Sequence, residues 1–236
     1  RDFRSDLLNG MLRFNLTGFV TKFKQLEFGV FIPNPAVASG QETATVNVGA
    51  ATTKGFELEA VLKPVDNFRL SANIGYLDSK YDKFCTDLDG PASYATAPTS
   101  TCGKVTKLVN GTYLVDQDYT NLKLVRAPKW TTQLAAEYTA PLGGDAGAIT
   151  ARLSMLYRTS WYSTVLNDAA GKTGNFTLLD GSIGWDSSDG RFRVQVWGKN
   201  LTNKVWVSAL TPTAQFFIQR FYGPPRTFGA TLGAKF

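Results

Sequence analysis

Histidine is absent from this 236-residue sequence, and cysteine occurs only twice. Without histidine there is no Ser–His or Cys–His pair and no imidazole–metal site, so the usual hydrolase constellations are excluded. Two cysteines without histidine do not make an ordinary zinc site either. No apolar run reaches eighteen residues, which excludes a transmembrane helix but says nothing against strands, whose hydropathy signal is much weaker. A basic cluster is missing as well. The 25 Lys and Arg outnumber the 19 Asp and Glu, giving a net charge of +6, yet they are scattered along the chain. Nucleic-acid binding calls for a clustered patch, so no nucleic-acid partner is expected.

What is present is alternation. Phe68, Leu70, Ala72, Ile74 and Tyr76 oppose Arg69, Ser71, Asn73 and Gly75. Ile149, Ala151, Leu153, Met155 and Tyr157 oppose Thr150, Arg152, Ser154 and Arg158. At the chain's end Phe228, Ala230, Leu232, Ala234 and Phe236 oppose Thr227, Gly229, Thr231, Gly233 and Lys235. A period of two is the signature of a strand whose faces meet different surroundings. Similar patterns predict strands over about 11–28, 46–62, 130–140, 176–186 and from 192, which makes the fold all-β. The segments 29–45, 84–120, 164–174 and 205–219 read as loops. The two prolines of 29–45 exclude a central strand there.

The connections near 8–10, 64–67, 141–147 and 187–190 are short and alternate with those four long ones. An up-and-down antiparallel barrel puts all short turns at one end and all long loops at the other, as outer-membrane barrels do. A Greek-key sandwich has no reason to sort them. The charges Glu57, Glu59, Arg69, Glu137, Arg152 and Arg193 all share the non-apolar face. An Arg or Lys on a lipid face costs about 2–4 kcal/mol at the midplane, so this face is the lumen. The count is eight full strands plus the end of another over residues 1–6. With no signal peptide ahead of it, that cut strand predicts that 1–236 is the C-terminal portion of a larger barrel.

Four short segments resemble a known family. Thr53-Lys-Gly-Phe-Glu-Leu-Glu59, Arg126-Ala-Pro-Lys-Trp130, Asn200-Leu-Thr-Asn-Lys-Val-Trp206 and Phe221-Tyr-Gly-Pro-Pro-Arg-Thr-Phe228 are similar, in order and position, to strand-end motifs of TonB-dependent outer-membrane receptors. Thr202 and Trp206 depart from the Phe and Tyr usual there. The resemblance implies a transmembrane barrel of twenty-two strands, of which the chain would hold the last eight to nine, with the plug domain and earlier strands upstream. It implies the outer membrane of a Gram-negative bacterium, with lipid and lipopolysaccharide around it. The implied function is active import of a scarce bulky ligand, foremost a ferric siderophore, energised by the TonB protein through the missing N-terminal part. No catalytic role, cofactor or resident metal is implied. Phe228 and the terminal Phe236 resemble the signal read by the outer-membrane assembly machinery. A passive diffusion porin or small structural barrel stays open as an alternative, as does a secreted soluble β-domain.

Candidate contact residues are the aromatic and cationic side chains at the long-loop ends of strands: Arg158, Trp161, Tyr162, Trp206, Phe216, Phe217 and Arg220. Arginine flanked by aromatics suits an anionic chelate. In the competing reading, Trp161, Tyr162 and Trp206 form an interfacial girdle and bind nothing. Cys85 and Cys102 sit in a polar stretch and fit a disulfide that staples a long loop in an oxidising compartment. Asp87-Leu-Asp-Gly90 is only faintly like a calcium loop and lacks the ligand spacing. Glu57 and Glu59 read as lumen polarity, not as paired acid and base.

Overall fold

The computed structural model describes every residue except 1, 9, 35, 39, 91, 109, 214–216 and 236. All its elements are strands, in the order β1 (Asp2–Leu7), β2 (Leu12–Pro33), β3 (Gln41–Val65), β4 (Phe68–Lys83), β5 (Cys85–Thr86), β6 (Val105–Lys107), β7 (Tyr113–Val115), β8 (Gln117–Asp118), β9 (Trp130–Pro141), β10 (Ala148–Arg158), β11 (Phe176–Asp186), β12 (Phe192–Lys199), β13 (Val207–Thr213), β14 (Phe217–Tyr222) and β15 (Thr227–Ala234). Nine of them form one antiparallel sheet in the order β1-β2-β3-β4-β9-β10-β11-β12-β15. Each strand pairs with its successor in the sheet, which is the up-and-down order the alternating connections predict. Within the chain β1 and β15 are its two edges.

The register turns the sequence alternation into two continuous surfaces. One row runs Leu12–Leu62–Leu70–Ala136–Leu153–Gly181–Gly198–Phe228 across the sheet. The face it belongs to stays open: Leu153, Ile183 and Leu232 are 52%, 57% and 78% exposed. The opposite face carries the row Arg69–Glu137–Arg152, in which the Arg152 guanidinium lies 3.1 Å from the Glu137 carboxylate. Further along the same face runs Asn15–Glu59–Asn73–Gln133. Single exposed pairs of this kind are worth only about 0.2–1 kcal/mol. Their consistency along the face shows which side is wet. The apolar stretches Leu12–Val20, Phe68–Tyr76, Trp130–Ala140 and Ile149–Tyr157 each match the about 9–11 residues that a tilted strand needs to cross a bilayer.

Turn chemistry fixes the short end. Gly147 adopts φ +84°, and a Cβ there would lie 2.0 Å from the Asp186 carbonyl oxygen, so only glycine closes the β9–β10 turn against β11. Between β11 and β12 the Ser187 hydroxyl and the Arg191 amide both donate to Asp189 Oδ1. These two hydrogen bonds, the hydroxyl first, hold the Asp189 carboxyl below its usual pKa.

Two predicted loops are strands instead. The segment 29–45 extends β2 and β3 as a paired ribbon up to Pro33–Gln41, leaving only 34–40 as the turn. Pro33 stands at the last pair, where a missing donor costs no inner ladder bond. The segment 205–219 contributes most of a separate hairpin, β13 on β14, with Pro212 opposite Ile218 near its tip. The predicted loop 84–120 holds the two small ladders β5–β8 and β6–β7, and Cys85 is disulfide-bonded to Cys102 with Cα atoms 6.0 Å apart.

Among the described residues, a core forms only at the long-loop end. Gln25, with φ 54°, forms a bulge in β2 that turns Leu26 inward. There Leu26 packs with Leu122, Leu124 and Val165 against buried Ala51, Tyr81, Phe84 and Leu88.

Candidate functional site

The inner face opens at the long-loop end into a cavity of about 490 Å³ lined by Arg126, Thr131, Arg158, Trp161, Ser163 and the β13 residues Ser208 to Thr211. Three separate stretches of chain meet here. Arg158 ends β10 on the lumen side, directly opposite Phe176 of β11. Its guanidinium carbon stands 5.6 Å from the Trp161 ring and 5.8 Å from the Phe176 ring. A guanidinium held against aromatic faces gains cation–π attraction, most of all when it is desolvated.

Trp161 is fixed from below. Its amide donates to Thr173 Oγ1 at 3.0 Å, and its carbonyl accepts from the Thr173 amide at 2.9 Å and from the hydroxyl at 3.1 Å. Thr173 and Phe176 are buried. Phe176 packs on Trp206 with ring centroids 4.7 Å apart. Gly223 leaves room for that indole, because a Cβ would meet it at 1.9 Å.

Arg126 supplies the second cation. It holds φ 56°, in the left-handed region that a non-glycine residue enters at a cost. Its amide donates to the Tyr162 carbonyl at 2.8 Å, which pins this turn to the loop after β10. Among the described residues neither Arg126 nor Arg158 is paired with a carboxylate. Arg158 Nε is buried without a hydrogen-bond partner among the described residues. A buried guanidinium N–H without an acceptor is unfavourable, so the site favours an incoming anion.

The structure thus brings together three of the predicted residues, Arg158, Trp161 and Trp206, the last as the support behind Phe176. It places Tyr162, Phe217 and Arg220 elsewhere. The Tyr162 side chain lies under the Lys172 ammonium at 5.4 Å. Arg220 donates to the Ala170 carbonyl at 3.1 Å and ties the β13–β14 hairpin to the 159–175 loop. Phe217 is exposed on that hairpin, and Phe216 lies outside the described residues. The Trp161 ring packs against the Arg158 guanidinium and the Trp206 ring against Phe176. On the open outer face at this end Phe56, Tyr76 and Trp130 stack side by side with centroids 4.7–6.0 Å apart.

Asp87 is committed to the loop itself: Oδ1 accepts from the Asp89 and Gly90 amides and Oδ2 from the Val115 amide. Phe228 is 69% exposed on the outer face of β15, and Phe236 lies outside the described residues. Reading the sequence missed Arg126, Phe176 and Thr131. The signal for Arg126 lay in its own motif, Arg126-Ala-Pro-Lys-Trp130, which marks the turn that aims it.

The family described as TonB dependent receptor-like, beta-barrel matches residues 2–201. Among solved structures, the ferric yersiniabactin uptake receptor FyuA from Yersinia pestis superposes with a TM-score of 0.69 at 15% identity, covering 100% of this chain and 29% of that one. The siderophore receptor PiuA from Acinetobacter baumannii gives 0.65 at 18% identity, covering 99% and 27%. The copper transporter OprC gives 0.62 at 14% identity, covering 100% and 30%. The chain therefore spans under a third of each of these structures. No curated protein sequence matches it. At such identities the structural likeness shows the fold alone.

Proposed function

The chain belongs to the TonB-dependent receptor-like β-barrel family, and from that premise we propose that it forms the C-terminal wall of an active-import receptor for an anionic ferric chelate. The family is one of outer-membrane receptors of Gram-negative bacteria, not of enzymes. The observation that carries the proposal is the lumen cavity with two arginines, Arg126 and Arg158, that no described carboxylate neutralises. A ferric chelate bearing carboxylate, catecholate or hydroxamate oxygens offers acceptors for those N–H groups and apolar surface for Trp161. Two of the structural neighbours are a ferric yersiniabactin uptake receptor and a siderophore receptor, which supports iron as the cargo metal.

In this reading the earlier strands and a plug domain lie upstream and close the barrel between β1 and β15. TonB delivers energy through that N-terminal part. The outward residues of β15, Phe228 first among them, together with Phe236, serve as the assembly signal.

The test is ligand binding by the full-length receptor, followed by intrinsic tryptophan fluorescence across a panel of ferric chelates. Arg158→Met should weaken an anionic chelate at least tenfold, about 1.4 kcal/mol, and the loss should shrink at high salt. Unchanged binding would remove Arg158 from the site. Ion conductance by the wild-type receptor with no chelate bound would favour a passive porin instead.

A further inference from the structure

The two cations of the cavity stand on different segments, Arg158 at the head of 158–175 and Arg126 at the end of 119–126. A pair of guanidinium groups selects a ligand only if its separation is fixed, because a loose pair loses binding energy to its own ordering. One tie between the segments is backbone, the Arg126 amide to the Tyr162 carbonyl at 2.8 Å. A second is a side chain. Asn167 Oδ1 accepts from the Lys123 amide at 2.6 Å, and Asn167 Nδ2 donates to the Lys123 carbonyl at 3.1 Å. The carboxamide thus pairs with both backbone groups of Lys123, as a neighbouring strand residue would. The same Nδ2 reaches the Thr164 and Val165 carbonyls of its own loop at 3.3 and 3.2 Å. Asn167 holds φ 55°, a conformation that asparagine enters more readily than most residues. Around this contact Leu122, Leu124 and Val165 pack on the buried cluster of Ala51, Tyr81, Phe84 and Leu88.

We propose that Asn167 is a positioning residue for the ligand site: by clamping Lys123 it fixes where Arg126 stands relative to Arg158, and so sets which spacing of anionic groups the site accepts. The inference rests on the import reading and gives that site its selectivity device. The stretch 123–126 runs opposite in sense to 162–167 and is tied at both ends, at 123 by Asn167 and at 126 by Tyr162. Lys123 lies on the turn that aims Arg126, so a tie at 123 acts on that cation. The other end of the tie lies on the loop that carries Trp161, which stands against the Arg158 guanidinium. A residue serving its own loop alone would need only the Thr164 and Val165 carbonyls. Asn167 instead commits its acceptor to the other segment. No described carboxylate holds Arg126, which leaves its placement to the backbone that the clamp fixes.

The experiment measures binding of ferric citrate, a ferric catecholate and a ferric hydroxamate to the full-length receptor by intrinsic tryptophan fluorescence. Asn167→Gly deletes the clamp while keeping a residue at ease with positive φ. Asn167→Asp keeps the acceptor for the Lys123 amide but turns a carboxylate on three carbonyls. Heat-modifiable gel migration confirms that the variants remain folded barrels. For the tightest-binding chelate, Asn167→Gly should weaken binding about tenfold in the wild-type background and less than about twofold in Arg126→Met, the non-additivity of groups that act as one. Asn167→Asp should weaken it likewise, and the order of preference among the three chelates should change. Equal losses in both backgrounds would assign Asn167 to loop stability alone and overturn the proposal, as would wild-type affinity in Asn167→Gly. Arg158→Met tests the import reading separately. If it binds weakly while Asn167→Gly binds normally, only the inference fails. If it binds like wild type, or if none of the three chelates binds the wild-type receptor, the reading fails and the inference with it.

Discussion

The membrane-height band of the sheet and its long-loop end are built from the same strands but stabilised in opposite ways. Within the band the large apolar side chains stand open: Leu70, Leu134, Leu153, Ile183, Val196 and Leu232 are all exposed. Above it, Ala51, Tyr81, Phe84 and Leu88 are buried, as are Trp161 and Phe176 around the cavity. The band has no core because lipid takes the place of one. The long-loop end faces water, so it must exclude water with its own side chains, and it uses a disulfide in doing so. The same β4 strand passes from one regime to the other between Tyr76 and Tyr81.

Introducing charge on the lipid side should break the band most severely. Leu134→Arg places a guanidinium at the middle of β9, at a cost of about 2–4 kcal/mol near the midplane. Gln133→Arg, one residue earlier, points into the lumen beside Asn73 and should cost little. Urea unfolding of the full-length barrel in lipid vesicles distinguishes the two. Equal destabilisation would mean that the two faces are not lipid and water.

The band was legible in the sequence, and the long-loop end was not, for the same physical reason. A strand between lipid and water must alternate, so Phe68 to Tyr76 and Ile149 to Tyr157 declare both their structure and their faces. The β2–β3 ribbon runs on beyond the apolar stretch Leu12–Val20, where no lipid face enforces strict alternation. Glu42, Ala44, Val46 and Val48 still alternate with Thr43, Thr45 and Asn47, but weakly, and Pro33 drew the boundary too early. The cavity was harder still. Arg158 was visible at a strand end, but Phe176 joins it only through the β10–β11 register and Arg126 only through a turn about thirty residues upstream in sequence. No local pattern encodes such a meeting.

Removing the disulfide should act on the long-loop end alone. Cys102→Ser releases a 17-residue separation whose closure is worth up to about 3 kcal/mol by loop entropy. The effect should appear as proteolytic cleavage within 86–118 with unchanged barrel unfolding. A shift of the barrel transition itself would show that the two zones are coupled and that the comparison is too sharp.

The mildest probe is pH. Burial in the core above the band pushes the Tyr81 hydroxyl up to about 12 from its ordinary 10. A neutral phenol in the folded state and an ionisable one in the unfolded state give stability that is complete below about pH 10. It is lost as pH rises from there through 12. Tyr119, which packs on Phe84, is raised as well, first by burial and then by the nearby Asp89 and Asp87 charges. Protease susceptibility of the 84–120 segment should therefore climb between pH 10 and 12, while the band, with lipid for its surroundings, keeps its β signal in circular dichroism. Tyr81→Phe should remove part of that alkaline sensitivity, leaving the share due to Tyr119. Simultaneous loss of the loop and the band over this range would show that the long-loop core supports the barrel and not the reverse.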